Sequence, residues 1–262
     1  MAEKSGFAEA SALTKRAGEY AGVIAEGWDI TGNANGGYLM AMQARAALLE
    51  SERRDVISVS AHFLSPGRPG PVWARSETLK SGRRFATSRV DLRGPDRVLL
   101  SGTVVTGDLD DGQGPELILG EAPDLPPPED CELTVPSDPF PPPFMARIEQ
   151  RLHPDDSLGS RNGPSIRGWF RLLDGEPLDT LAVILAADNF PPTVFNTDLP
   201  IGWVPTVQMT VHVRRRPTTA WLKLDTRTRF VQNGLFEVDA NIFDENDRIV
   251  AQSRQLQLIA QP

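Results

Sequence analysis

One succession of elements occurs twice in this chain, and that repetition limits the fold more than any other feature. In the first half, Gly36-Gly37-Tyr38-Leu39-Met40 opens a run of helix formers reaching about Ser51, after a strand-like stretch over 19–28. Strand-like runs follow at 56–64, 72–79, 85–92 and 98–106, with Ser65-Pro66-Gly67, Lys80-Ser81-Gly82 and Arg93-Gly94-Pro95-Asp96 as the turns between them. In the second half an apolar helix over 177–188 precedes strands at 206–214, 220–229, 235–243 and 249–258. Single positions recur too: His62 and Trp73 match His212 and Trp221, Gly82 matches Gly234, and Asp96-Arg97-Val98 matches Asp247-Arg248-Ile249. The unit is far longer than the roughly 20–50 residues of a solenoid repeat, so it reads as a duplicated domain.

In the first helix Leu39, Met42, Ala46 and Leu49 fall at spacings of three and four, while Ala41, Ala44 and Ala47 keep the other faces slim. A slim apolar helix ahead of a long antiparallel meander is buried only if the sheet curls round it, which predicts a layered α+β fold. Joining two such units edge to edge also covers two exposed sheet edges. The chain therefore divides into a unit over 1–107, a linker over 108–164 and a second unit over 165–262. The linker is marked by Pro126-Pro127-Pro128 and Pro141-Pro142-Pro143, which favour extended backbone, and a segment near 144–151 is expected to regain order.

Charge narrows the partners. The 262 residues carry 27 Lys and Arg against 35 Asp and Glu, a net charge of -8, and no basic block exceeds Arg214-Arg215-Arg216. Nucleic acid is not an expected partner. The single Cys131 excludes an intrachain disulfide framework, and Met1-Ala2-Glu3-Lys4-Ser5 lacks a signal-peptide pattern, so a cytoplasmic location is expected. No apolar run approaches the roughly 18–20 residues of a membrane span.

Three stretches resemble the TesB-like, or type II, acyl-CoA thioesterase family: Trp28 with Asn35-Gly36-Gly37-Tyr38-Leu39, His62-Phe63-Leu64-Ser65-Pro66-Gly67, and Ala251-Gln252-Ser253-Arg254-Gln255. The resemblance implies a double hotdog, in which each unit wraps a long helix in an antiparallel sheet and the two sheets run into one. It also implies hydrolysis of acyl-CoA by a water held by an Asp, a hydroxyl residue and a Gln of the second unit. Matched residue by residue, these are Asp188, Thr206 and Gln255, with Thr210 and Gln252 as rival choices. No cofactor is implied, acyl-CoA is the implied partner, and a homo-oligomer is open.

The chemistry suits those residue types. An Asp can take the proton of the water, a Thr and a Gln can fix its orientation, and backbone N–H groups at a glycine-opened helix N-terminus can face the negative charge that develops on the carbonyl oxygen. Gly36 and Gly37 fit that oxyanion role. They fit equally a close approach of helix to sheet, and Asn35 is most simply the helix N-cap. Asp188 stands ahead of Pro191-Pro192, where an Asp is often a turn residue, and Thr206 and Gln255 are ordinary strand residues. His62 and His212, equivalent across the duplication, point to a shared structural role at the joint. The arginines at 214–216, 227 and 229 read as a solvated face.

No Gly-x-Ser-x-Gly, His-Glu-x-x-His, phosphate loop or Gly-x-Gly-x-x-Gly occurs, and three histidines with one cysteine make a poor metal site. A cofactor-free hydrolase is the enzyme class that remains. The alternative is a hotdog protein that binds an acyl chain or acyl-CoA without cleaving it. A hydratase would need an Asp and a His near the helix start, and 33–38 contains neither.

Overall fold

A computed structural model describes residues 6–111, 114–136 and 142–260. Pro141, part of the second proline run, lies outside them. The first unit contains α1 (Phe7–Ala10), β1 (Leu13–Arg16), β2 (Glu19–Ile24), the short pair β3 (Asp29–Ile30) and β4 (Asn33–Ala34), and α2 (Gly36–Ser51). Its meander is β5 (Asp55–Phe63), β6 (Gly70–Ser81), β7 (Phe85–Arg93) and β8 (Val98–Gly107). The stretch read as linker holds β9 (Glu132–Leu133) and β10 (Ile148–Leu152), and the second unit holds β11 (Ser165–Leu172), α3 (Thr180–Ala187), β12 (Thr206–Val213), β13 (Leu222–Arg227), β14 (Val231–Gln232), β15 (Leu235–Asp244) and β16 (Ile249–Leu258).

Apart from the β3–β4 pair, which stands by itself, the strands form one antiparallel sheet in the order β1-β2-β6-β7-β8-β5-β12-β16-β15-β13-β11-β10-β9, with β14 on β15. Read outward from the β5–β12 seam, β8, β7, β6 and β2 are mirrored by β16, β15, β13 and β11. This is the double hotdog that the repeat and the resemblance together imply. The seam is a full antiparallel pairing in which Gln208 faces His62 and His212 faces Ser58, so both histidines lie at the joint, and both are exposed on its outer surface.

Burial explains why the helices carry no polar stripe. In α2 the residues from Gly37 to Ala44 are all buried, and all eight residues of α3 are buried. A helix apolar on every side must be covered on every side. The sheet covers one flank, and α2 and α3 pack on each other to cover the rest. The second helix is shorter than its apolar run: Asp179 caps it by accepting from Leu181 N and Ala182 N at 2.9 and 2.8 Å, which moves its start to Thr180.

The stretch read as linker carries more order than its composition implied. Within it, β10 pairs with β11 and β9 pairs with β10, extending the sheet beyond the second meander. The Pro126 carbonyl accepts from Trp169 Nε1 at 2.8 Å, which seats the first proline run against β11. The order expected near 144–151 is this strand.

Candidate active site

The two glycines meet the end of the other unit's helix. At Gly37 an added Cβ would lie 2.8 Å from Asp188 Cβ, 3.0 Å from Leu185 O and 3.1 Å from Ile184 O. At Gly36 it would lie 2.8 Å from Asp188 Oδ2 and 2.9 Å from Phe63 Cε1. Any side chain at Gly37 would therefore push against backbone that cannot move cheaply. The packing requirement is real, and what the close approach brings together is the positive end of α2 and the carboxylate of Asp188.

Asp188 is the C-cap of α3, and its backbone N–H returns to Leu185 O. Its Oδ2 accepts from Gly37 N at 2.7 Å and from Asn35 Nδ2 at 3.5 Å, and its Oδ1 accepts from Gln255 Nε2 at 3.1 Å. Asn35 is the N-cap of α2, taking Tyr38 N on its Oδ1 at 2.8 Å, so one buried amide both starts the helix and donates toward the carboxylate. Burial raises the Asp188 pKa to about 6; the Gly37 N–H and the Gln255 amide pull against it by favouring the ionised form. An Asp near pKa 6 is a competent proton acceptor at neutral pH.

Gln255 lies on the inner face of β16, opposite Met209, and also donates to Ala187 O at 3.3 Å. Thr206 donates to Gln255 Oε1 at 3.3 Å. The strand reaches this arrangement through a β-bulge. Thr206 pairs with Gln257 and Gln208 with Leu256, leaving Val207 as the extra residue. Strict alternation from Met209 would point Val207 inward and Thr206 outward; the bulge reverses them. The structure thus brings Asp188, Thr206, Gln255, Gly36 and Gly37 into one place. The rivals face elsewhere: Thr210 bonds Ser60 and Gln208 on the outer surface, and Gln252 is exposed.

Sequence reasoning reaches Asn35 only as a cap and does not reach Gln257. Gln257, buried and two positions beyond Gln255, donates from Nε2 to Thr206 Oγ1 at 3.1 Å. The signal was present in Ser253-x-Gln255-x-Gln257, three polar residues on one strand face that the meander turns toward the core. Among the described residues no group of three or more His, Cys, Asp or Glu could hold a metal ion. No described helix is long and apolar enough to cross a membrane.

The first unit lacks the constellation. Its β5 carries the same bulge, and Val56 pairs with Thr106 there as Thr206 pairs with Gln257. The counterparts of Thr206, Gln255 and Gln257 are therefore Val56, Val104 and Thr106. At this mirror position Thr180, the first residue of α3, stands where Gly36 stands, and its hydroxyl accepts the Val56 N–H at 3.1 Å.

Comparison with known proteins gives a consistent picture. Residues 24–107 match the acyl-CoA thioesterase N-terminal domain family, and residues 128–259 match the acyl-CoA thioesterase C-terminal domain family. An uncharacterised protein of Mycobacterium tuberculosis is 27% identical over 270 aligned positions, covering 92% of this chain and 90% of its own. Among solved structures, a candidate thioesterase II of Thermobifida fusca superposes with a TM-score of 0.88 at 32% identity, over 97% of each chain. The acyl-CoA thioesterase II TesB2 of Mycobacterium marinum superposes at 0.71 with 22% identity, over 98% of this chain and 99% of that one. The dehydratase domain of RzxB from Pseudomonas fluorescens shares the fold at 0.53 and 14% identity, over 93% and 94%.

Proposed function

Since the chain belongs to the acyl-CoA thioesterase family, we propose that it hydrolyses acyl-CoA to a free acid and CoA at the site built around Asp188. The observation that carries the reading is a carboxyl of raised pKa held at the N-terminus of α2 by Gly37 N–H and Gln255 Nε2. In this reading a water lies against Asp188, with the Thr206 hydroxyl and the Gln255 amide fixing its lone pair toward the thioester carbonyl. Asp188 takes the proton as the water oxygen attacks. The tetrahedral intermediate then collapses and expels the thiolate of CoA, a leaving group that needs no strong acid.

The oxyanion role divides between the glycines. Gly37 N–H is occupied by Asp188 Oδ2, whereas Gly36 N–H makes no hydrogen bond within the described residues. Gly36 therefore supplies the donor to the carbonyl oxygen, and Gly37 holds the base. Losing one such donor costs about 3–4 kcal/mol of barrier in other enzymes. A dehydratase or hydratase assignment has less support: His62 and His212 are exposed on the outer sheet face, away from Asp188.

The test is a thiol-release screen against acyl-CoAs of graded chain length, run beside Asp188→Asn. The expected result is turnover by the natural chain and a loss of 100-fold or more in the variant, on the order of what general-base catalysis contributes. Acyl-CoA that binds and is recovered intact would replace this reading with a binding protein. Unchanged turnover in Asp188→Asn would remove Asp188 from the mechanism.

A further inference from the structure

We propose that Gln257 is a positioning residue of this site: its amide directs the Thr206 hydroxyl onto Gln255, which keeps the Gln255 amide turned toward Asp188. The inference rests on the reading of the site given above. Thr206 has one proton and two lone pairs on Oγ1. Gln257 Nε2 donates to that oxygen at 3.1 Å, so the proton is left to donate, and Gln255 Oε1 receives it at 3.3 Å. With its oxygen occupied, Gln255 presents Nε2 to Asp188 Oδ1 at 3.1 Å and to Ala187 O at 3.3 Å. The bonds run one way, from Gln257 through Thr206 and Gln255 to the carboxylate.

Gln257 has little other reason to be where it is. Its side chain is buried, its bond to Thr206 is the one side-chain hydrogen bond it makes within the described residues, and its Oε1 is buried without a partner. A buried amide with its oxygen unpaired is unfavourable for folding. The fold does not require it: at the mirror position Thr106 completes the same bulged strand pair and donates to Ser51 instead. Without Gln257 the Thr206 hydroxyl is free to rotate and accept from Gln255. The amide could then flip and set Oε1 against Asp188 Oδ1, acceptor facing acceptor, which favours the protonated carboxyl. No charged side chain contributes to holding the Asp188 pKa where it is; burial, Gly37 N–H and the Gln255 amide set it.

The experiment uses the full chain with Gln257→Leu, and with Gln257→Met should the first not fold. Turnover is measured against pH, and the Asp188 carboxyl is titrated by carbon-13 NMR, its signal identified by its loss in Asp188→Asn. The expected result is a kcat lowered about tenfold with KM held within about twofold, an interaction present mainly in the transition state. The acid limb of kcat and the Asp188 midpoint should both move to higher pH. Combining Gln257→Leu with Thr206→Val should cost no more than Thr206→Val alone, because both act through one relay. An unmoved midpoint and limb, or additive losses, would overturn the proposal. The titration needs no turnover. A raised midpoint in a chain that hydrolyses no acyl-CoA would uphold the positioning and sink the hydrolase reading, and an unmoved midpoint in an active enzyme would do the reverse.

Discussion

Because Asp188 binds a proton more tightly in the folded chain than in the unfolded one, it weakens the fold as the solution becomes less acidic. Its pKa rises from 3.8 to about 6 on folding, so its favourable contribution is complete below pH 3.8 and is lost as pH climbs through 6. Asp188→Asn removes that titration. The variant should be more stable than the natural chain by about 1–3 kcal/mol at pH 8, the upper end being the full shift converted, and the gap should close toward pH 4. Urea melts at the two pH values measure it. The same group fixes the sign of the activity profile: kcat should rise with pH through a limb centred near 6, because the ionised carboxylate is the base. A stabilised but inactive Asp188→Asn would show a residue kept for chemistry at the expense of folding. The identity of Asp188, Thr206 and Gln255 as candidates came from the resemblance. Their residue types alone could not raise an Asp before a diproline above a turn residue.

At the scale of elements, the α2 and α3 ends approach so closely that the glycine pair and the carboxylate define each other. Gly37→Ala should cost about 1–3 kcal/mol, since its Cβ would meet the Leu185 and Ile184 carbonyl oxygens at 3.0 and 3.1 Å. Gly36→Ala meets side-chain atoms only, Asp188 Oδ2 and the Phe63 ring, so its melting temperature should fall less while its kcat falls sharply through the displaced carboxylate. Thermal melts and turnover on both variants separate packing from chemistry. The helices and meander strands were legible because period and turn chemistry set them independently of distant contacts. The bulge at Val207 was not: the pattern Thr206-Val207-Gln208-Met209 fits either phase of a strand, and pairing with β16 decides between them. For the same reason the pattern gives β10 only as a stretch of returning order and gives no strand at β11. Each gains its place from the sheet edge it joins, and the prolines around them mask their short apolar runs.

Across the whole molecule, duplication supplied two equivalent frames and the sequence furnished only one of them. Val56, Val104 and Thr106 occupy the places of Thr206, Gln255 and Gln257, and Thr180 fills the place of Gly36. A non-hydrolysable acyl-CoA analogue should therefore bind once per chain in calorimetry, and Asp188→Asn should abolish turnover without leaving a second, slower phase. The furnished site draws its helix N-terminus from the first unit and its acid and amide from the second, so its geometry depends on the seam holding. One contact at the far end of that seam tests the dependence. Asp55, 1% exposed at the start of β5, accepts two bonds from the Arg216 guanidinium beyond β12, at 3.0 and 2.7 Å, and the Leu109 N–H at 2.9 Å. Arg216→Met leaves that carboxylate buried with only part of its partners, which should cost about 3 kcal/mol in a denaturant melt. Pairing it with Asp55→Asn should return much of the loss, because the uncompensated charge is gone. If the seam positions the site, kcat should fall in Arg216→Met and recover in the double variant along with stability. A kcat that stays level while stability falls would mean that the contact of α2 with α3 aligns the two halves of the site without help from the seam.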